Sequence, residues 1–125
     1  MNSFSTRPAL GERTLQFAAN VRSFAKRLPR VVGSGNDVQE LLRAAAGIGA
    51  CNIEANEAPN KTEFVAKIRQ CLKEAKEATF WLRLIDTGPS DSLTELKAAL
   101  VQESREFMRI YFAILRKLRT KSKDE

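Results

Sequence analysis

Three breaker segments divide this chain into four runs of helical periodicity, and that division constrains the fold more than any other feature. Pro29 with Gly33-Ser34-Gly35-Asn36, then Pro59, then Asp86-Thr87-Gly88-Pro89 supply the breaks, because proline removes a backbone donor and glycine loosens the chain. Before the first break, Phe17, Val21, Phe24 and Leu28 recur at spacings of four, three and four, the mark of one apolar helix face. The second run carries Val38, Leu41, Leu42, Ala45, Gly49, Asn52, Ile53 and Asn56, and the third Phe64, Ile68, Cys71, Leu72, Ala75, Thr79, Leu82 and Ile85. The fourth carries Leu93, Leu96, Leu100, Ser104, Phe107, Tyr111, Ile114, Leu115 and Leu118. The pattern predicts helices over about 9–28, 37–57, 61–85 and 92–120.

Asn36 or Asp37 is the expected cap of the second helix, with capping boxes at Asn60/Glu63 and Ser92/Glu95 for the third and fourth. Arg30 to Asp37 reads as a loop, and the "TKSKDE" tail as disordered, so the ends are expected to be flexible. Short connections make the helices antiparallel neighbours, so the expected fold is an all-α, up-and-down four-helix bundle. At 125 residues the chain fits a single domain over 1–125.

The stretch "AAAGIGACNIEAN" (Ala44 to Asn56) holds two glycines and two asparagines inside the second helical run. Its Gly-x-Gly is not preceded by a strand, lacks a third glycine and is followed by no Lys-Ser or Lys-Thr, so a phosphate loop is the poorer reading. Ala45 and Gly49 read instead as points of close helix approach, each glycine costing the helix about 1 kcal/mol relative to alanine. Asn52 and Asn56 fall on the apolar face, where an unpaired amide costs about 1–3 kcal/mol. They are expected to be structural polar anchors, bonded to a neighbouring backbone or to the Thr79 or Ser104 hydroxyl.

Histidine is absent. That removes Ser-His-Asp and Cys-His nucleophile systems, histidine-ligated zinc and imidazole acid–base chemistry. Glu54, Glu57, Glu74 and Glu77 do not form the Glu-x-x-His pairs of helical carboxylate metal sites; Glu74 and Glu77 are expected to pair with Lys73, Lys76 or Arg83, or with another subunit. No catalytic residue, metal or cofactor is expected, and the chain reads as a non-enzyme. Cys51 and Cys71, without CxxC spacing, read as free buried thiols. No secretory signal and no apolar run of about 18 residues appear, so no membrane span is expected and the location expected is cytoplasmic.

Lys and Arg number 21 against 15 Asp and Glu, for a net charge of +6. No acid lies between Arg13 and Asn36, where Arg22, Lys26 and Arg30 stand, and Arg105, Arg109 and Arg116 share one outward face of the fourth helix. These six are the candidate phosphate contacts for RNA or DNA; the same distribution also fits a solvated cationic face. Phe80 and Leu84 fall nearly opposite the third helix's core stripe, with Trp81 on its flank, and Phe112 flanks the fourth stripe. Large apolar groups in those positions mark an interface, here between copies of the chain.

Gly49, Ala50, Asn52, Ile53 and Glu54, then Asn60, Lys61, Glu63 and Phe64, then Leu72, Lys73, Glu74, Ala75, Glu77, Trp81, Leu82, Leu84 and Ile85 together resemble the four-helix-bundle family of 23S ribosomal RNA intervening-sequence proteins. Relatives of that family include Avd, the accessory protein of diversity-generating retroelements. The resemblance implies an up-and-down bundle assembled into a ring, typically a pentamer, with a basic surface. In Avd it implies nucleic-acid binding together with a reverse transcriptase. It carries over no catalytic residue. Two functions are therefore expected: an oligomeric accessory protein binding RNA or DNA, or a protein-interaction scaffold docking a partner such as a reverse transcriptase.

Overall fold

The computed structural model describes the backbone of residues 4–124 and side chains as far as Arg119. Among the described residues the structure is all-helical: α1 Pro8–Arg27, α2 Arg30–Gly33, α3 Asn36–Asn56, α4 Lys61–Leu84 and α5 Asp91–Asp124. The expected loop after Pro29 contains α2, a single turn closed by the Gly33 and Ser34 amides on the Pro29 and Arg30 carbonyls. Pro29 still separates it from α1, because the residue before a proline is forced out of helical geometry, and Leu28 is extended with ψ 151°. The fourth long helix runs past the expected end near residue 120, to Asp124. Flexibility expected of Met1, Asn2, Ser3 and Glu125 falls outside the described residues.

Consecutive long helices lie antiparallel. Thr6 meets Asn56 between the start of the chain and the end of α3, Glu54 meets Lys67 across α3 and α4, and Lys97 of α5 reaches the Ile85 carbonyl after α4. Arg13–Glu103 and Arg27–Ser92 bonds close the circuit between α1 and α5. The result is an up-and-down bundle around one core, with Phe17 edge-on to Phe107 at 5.4 Å and Val21, Leu41, Ile48, Ile68 and Leu82 buried among them.

The core face of α3 differs from the expected stripe. Ala44, Ile48, Cys51 and Ala55 are buried, whereas Ile53 is 60% exposed. The buried face is turned towards the alanines because small side chains let α1 and α4 both approach α3, so one helix is covered on two sides.

Two caps also differ. Gly35, with no side chain to offer, stands at the cap of α3 in place of Asn36 or Asp37. α5 begins at Asp91, one residue early, and its cap moves back by two: Ser90 Oγ accepts from the Leu93 amide at 3.2 Å, in place of a box from Ser92. At α4, Asn60 Oδ1 accepts from the Glu63 amide at 2.9 Å. The turn into α5 depends on Gly88, whose φ of 68° lies in the left-handed region; its amide donates to Asp86 Oδ1.

Candidate nucleic-acid interface

The conspicuous amides and hydroxyls are structural. Tyr111, fully buried, donates its hydroxyl to Asn52 Oδ1 at 2.9 Å. Asn56 clamps Thr6, accepting from its amide at 2.6 Å and donating to its hydroxyl at 2.9 Å. Neither asparagine takes Thr79 or Ser104, which bond to each other across α4 and α5 at 2.7 Å. Burial, and then Cys71 nearby, push the Tyr111 phenol up. Cys71 is itself pushed up, by its hydrogen bond to Cys51 and by burial. The hydroxyl and the Cys71 thiol therefore stay protonated at neutral pH and act as donors. Both cysteines are free and buried.

Glu74 is 7% exposed, and its carboxyl is pushed above the usual carboxylate range by burial and by Glu77, against the opposing pull of Arg43. Its ion-pair partner is Arg43 of α3, which also reaches Glu40 and Glu77, in place of Lys73, Lys76 or Arg83. A partner 31 residues away cannot be read from spacing along α4. The Gly47-x-Gly49 motif lies in the middle of α3, without the loop backbone that could cradle a phosphate.

The six candidate cations do not form one patch. Arg27 contacts Ser92 and Arg13 contacts Glu103, so Arg22, Lys26 and Arg30 lie towards the end where α1 finishes and α5 begins. Arg105, Arg109 and Arg116 run from the middle of α5 to the other end. All six are exposed. Arg109 pairs with Glu106 one turn back.

A denser group of cations lies where α4 and α5 pack. There a groove of about 530 Å³ is lined by Lys61, Val65, Arg69, Leu72 and Lys76 of α4, and by Phe112, Leu115, Arg116, Leu118 and Arg119 of α5. Half of its lining residues are Lys or Arg and none is acidic. Four cations outside the groove are paired with carboxylates: Arg13 with Glu103, Arg43 with its three glutamates, Lys67 with Glu54 and Arg109 with Glu106. Among the described residues Arg69 and Lys76 have no carboxylate within ion-pairing distance.

Of these groove cations the sequence reading named Arg116 as a candidate contact, placed Arg119 only in the basic run that follows it, and left out Lys61, Arg69 and Lys76. The available signal was their spacing, since Lys61, Val65, Arg69, Leu72 and Lys76 recur every three or four residues, but they interleave with acids that the helix turns to its other side.

A second groove, about 650 Å³, runs between the N-terminal segment and the later half of α5 and is floored by Leu10, Phe64, Ile110 and Ile114. Arg13 at its edge is spent on Glu103 and lies 5.6 Å over the Phe107 ring. The expected interface residues also separate. Phe80 and Leu84 are 58% and 53% exposed, with Trp81 edge-on to Phe80 at 5.0 Å, whereas Phe112, 57% exposed, lies in the basic groove.

No protein-family model and no curated protein sequence matches this chain. Among solved structures, the chain is similar to a protein of unknown function from the S23 ribosomal protein family of Bacteroides thetaiotaomicron VPI-5482, whose crystal structure is at 1.70 Å resolution. The two share 27% identity and a TM-score of 0.73, over 84% of this chain and 96% of that one. The likeness covers nearly the whole bundle. It agrees in coarse terms with the resemblance to ribosomal RNA intervening-sequence proteins. No helix of the described residues is long and apolar enough to cross a membrane.

Proposed function

We propose that this chain is a non-enzymatic, oligomeric accessory protein that binds the phosphate backbone of RNA or DNA through the α4–α5 groove. The observation that carries the reading is the groove's lining, half of it cationic and none of it acidic. Lys and Arg held together without acids attract a polyanion and release its counterions on binding. The ribosomal name of the similar structure's family supports RNA as the first ligand to test. The exposed arginines of α5, Arg105 and Arg109, extend the cationic surface beyond the groove. Arg22, Lys26 and Arg30 form a separate outlying patch. A ring of five copies, as the sequence resemblance implies, would repeat the groove around the assembly and multiply its contacts.

The test is a titration of a labelled, structured RNA followed by fluorescence anisotropy across a salt series. Affinity is expected to fall steeply as salt rises, with a slope of about −0.7 to −0.9 per phosphate neutralised. Arg69→Glu combined with Arg116→Glu is expected to weaken binding and flatten that slope. Undetectable binding at low salt, or indifference to the two reversals, would sink the proposal.

Exposed Phe80 and Leu84, with half-buried Trp81 beside them, favour a second reading, a scaffold that docks a protein such as a reverse transcriptase. A protein partner that stays bound after nuclease treatment, with no RNA affinity in the purified chain, is the outcome that selects it.

A further inference from the structure

Phe112 is 57% exposed in the middle of a cationic ladder. Arg105, Arg109, Phe112, Arg116 and Arg119 follow one another at spacings of four, three, four and three, which places them on one face of α5. Phe112, Arg116 and Arg119 line the groove opposite Arg69 and Lys76 of α4. A phenyl ring contributes nothing to phosphate binding, and a solvated cationic face has no use for it. Resting on the nucleic-acid reading above, we infer that the groove selects unpaired nucleotides, with Phe112 as the platform on which one base stacks while the flanking cations hold the adjoining phosphates.

Charge decides between this occupant and a second copy of the chain. Each copy carries a net charge of +6, and a symmetric pairing of two copies, ladder against ladder, would set Arg against Arg, which is unfavourable. Phe80, Trp81 and Leu84 form their own apolar cluster on α4, with Phe80 and Trp81 in ring contact, so an interface there does not need Phe112. Pairing decides between single strand and duplex. In a duplex the bases stack on one another and offer only their edges, so a ring face has nothing to stack on; a loop, bulge or single-stranded end offers a free π-face. Stacking of this kind tolerates any base. The groove therefore reads strandedness and is indifferent to sequence.

The experiment compares a short unstructured RNA with a blunt RNA duplex of equal length, both fluorescein-labelled, against the full chain at low salt. The single strand is expected to bind more tightly. Phe112→Ala is expected to weaken single-strand binding by about tenfold while leaving duplex binding nearly unchanged. Phe112→Trp should keep or improve single-strand affinity, and Phe112→Leu, apolar but without a π-face, should behave like the alanine variant. A single strand carrying 2-aminopurine gives a readout that needs no variant, since stacking changes its fluorescence on binding to the wild-type chain.

Equal affinity for both RNAs, wild-type behaviour of Phe112→Leu, or a change in native mass on Phe112→Ala overturns the stacking inference and leaves backbone binding standing. Failure of the wild-type chain to bind either RNA overturns the underlying reading as well, so the two failures are distinguishable.

Discussion

A Cβ added at Gly47 would stand 2.6 Å from Glu74 Oε2 and 2.9 Å from the carboxyl carbon, a separation that packed atoms do not tolerate. Glu74 cannot simply move away, because it is buried and held by Arg43. At Gly49 the nearest atom would be Thr14 Oγ1 at 3.5 Å, an ordinary contact. The two glycines should therefore respond in opposite directions. Gly49→Ala gains helix propensity of about 1 kcal/mol and is expected to stabilise the bundle in urea unfolding. Gly47→Ala makes the same gain but overpacks, at a cost of about 1–3 kcal/mol, and is expected to destabilise; in a Glu74→Ala background the same substitution should become favourable. A Gly47→Ala variant as stable as the wild type would refute the contact. In the sequence the two glycines look alike, and the chain singles out Gly49 only because it falls on the apolar stripe. What makes Gly47 tight belongs to α4, 27 positions further on, where periodicity carries no information. Asn52 is the same case: its burial was legible, but its partner Tyr111 lies 59 residues away.

Long helices were legible because each long run repeats its apolar residues at helical spacing and each break contains proline or glycine. The one-turn α2 was not, since four residues are too few to show a period. Caps were legible only where sequence offered one candidate. Asn60 alone precedes α4, but Ser90 and Ser92 both precede the apolar run of α5, and the choice depends on how the Gly88 turn delivers the chain. Ser90 Oγ accepts from the Leu93 amide, and Thr94 bonds back to the Ser90 carbonyl. Ser90→Ala is accordingly expected to cost about 1 kcal/mol, whereas Ser92→Ala, which loses exposed contacts to Ser90 and Arg27, should stay within about 0.5 kcal/mol. Thermal or urea unfolding of the two variants checks this, and a larger loss for Ser92→Ala would return the cap to the box read from sequence. The groove was half legible for the same reason as the caps. Each helix shows its cation ladder, but that two ladders face each other follows from the Thr79–Ser104 contact that fixes the α4–α5 pairing.

For the molecule as a whole, α4 carries both the groove cations and the apolar cluster of Phe80, Trp81 and Leu84. If copies associate through that cluster, assembly and nucleic-acid affinity are coupled through avidity, without any shared contact. Phe80→Glu with Leu84→Glu places charge on two exposed positions, so the fold of each chain should survive while the native mass falls to that of a monomer. The groove residues are untouched by this change. Even so, affinity for a long RNA should drop by about 10²-fold or more, as several linked grooves become one, and the salt slope should shrink because fewer phosphates are neutralised together. A short oligonucleotide that fills one groove should bind both forms alike. Native mass spectrometry at micromolar concentration with the two titrations tests the coupling. A wild-type chain that is strictly monomeric would overturn it, as would a dissociated variant that keeps full affinity for the long RNA.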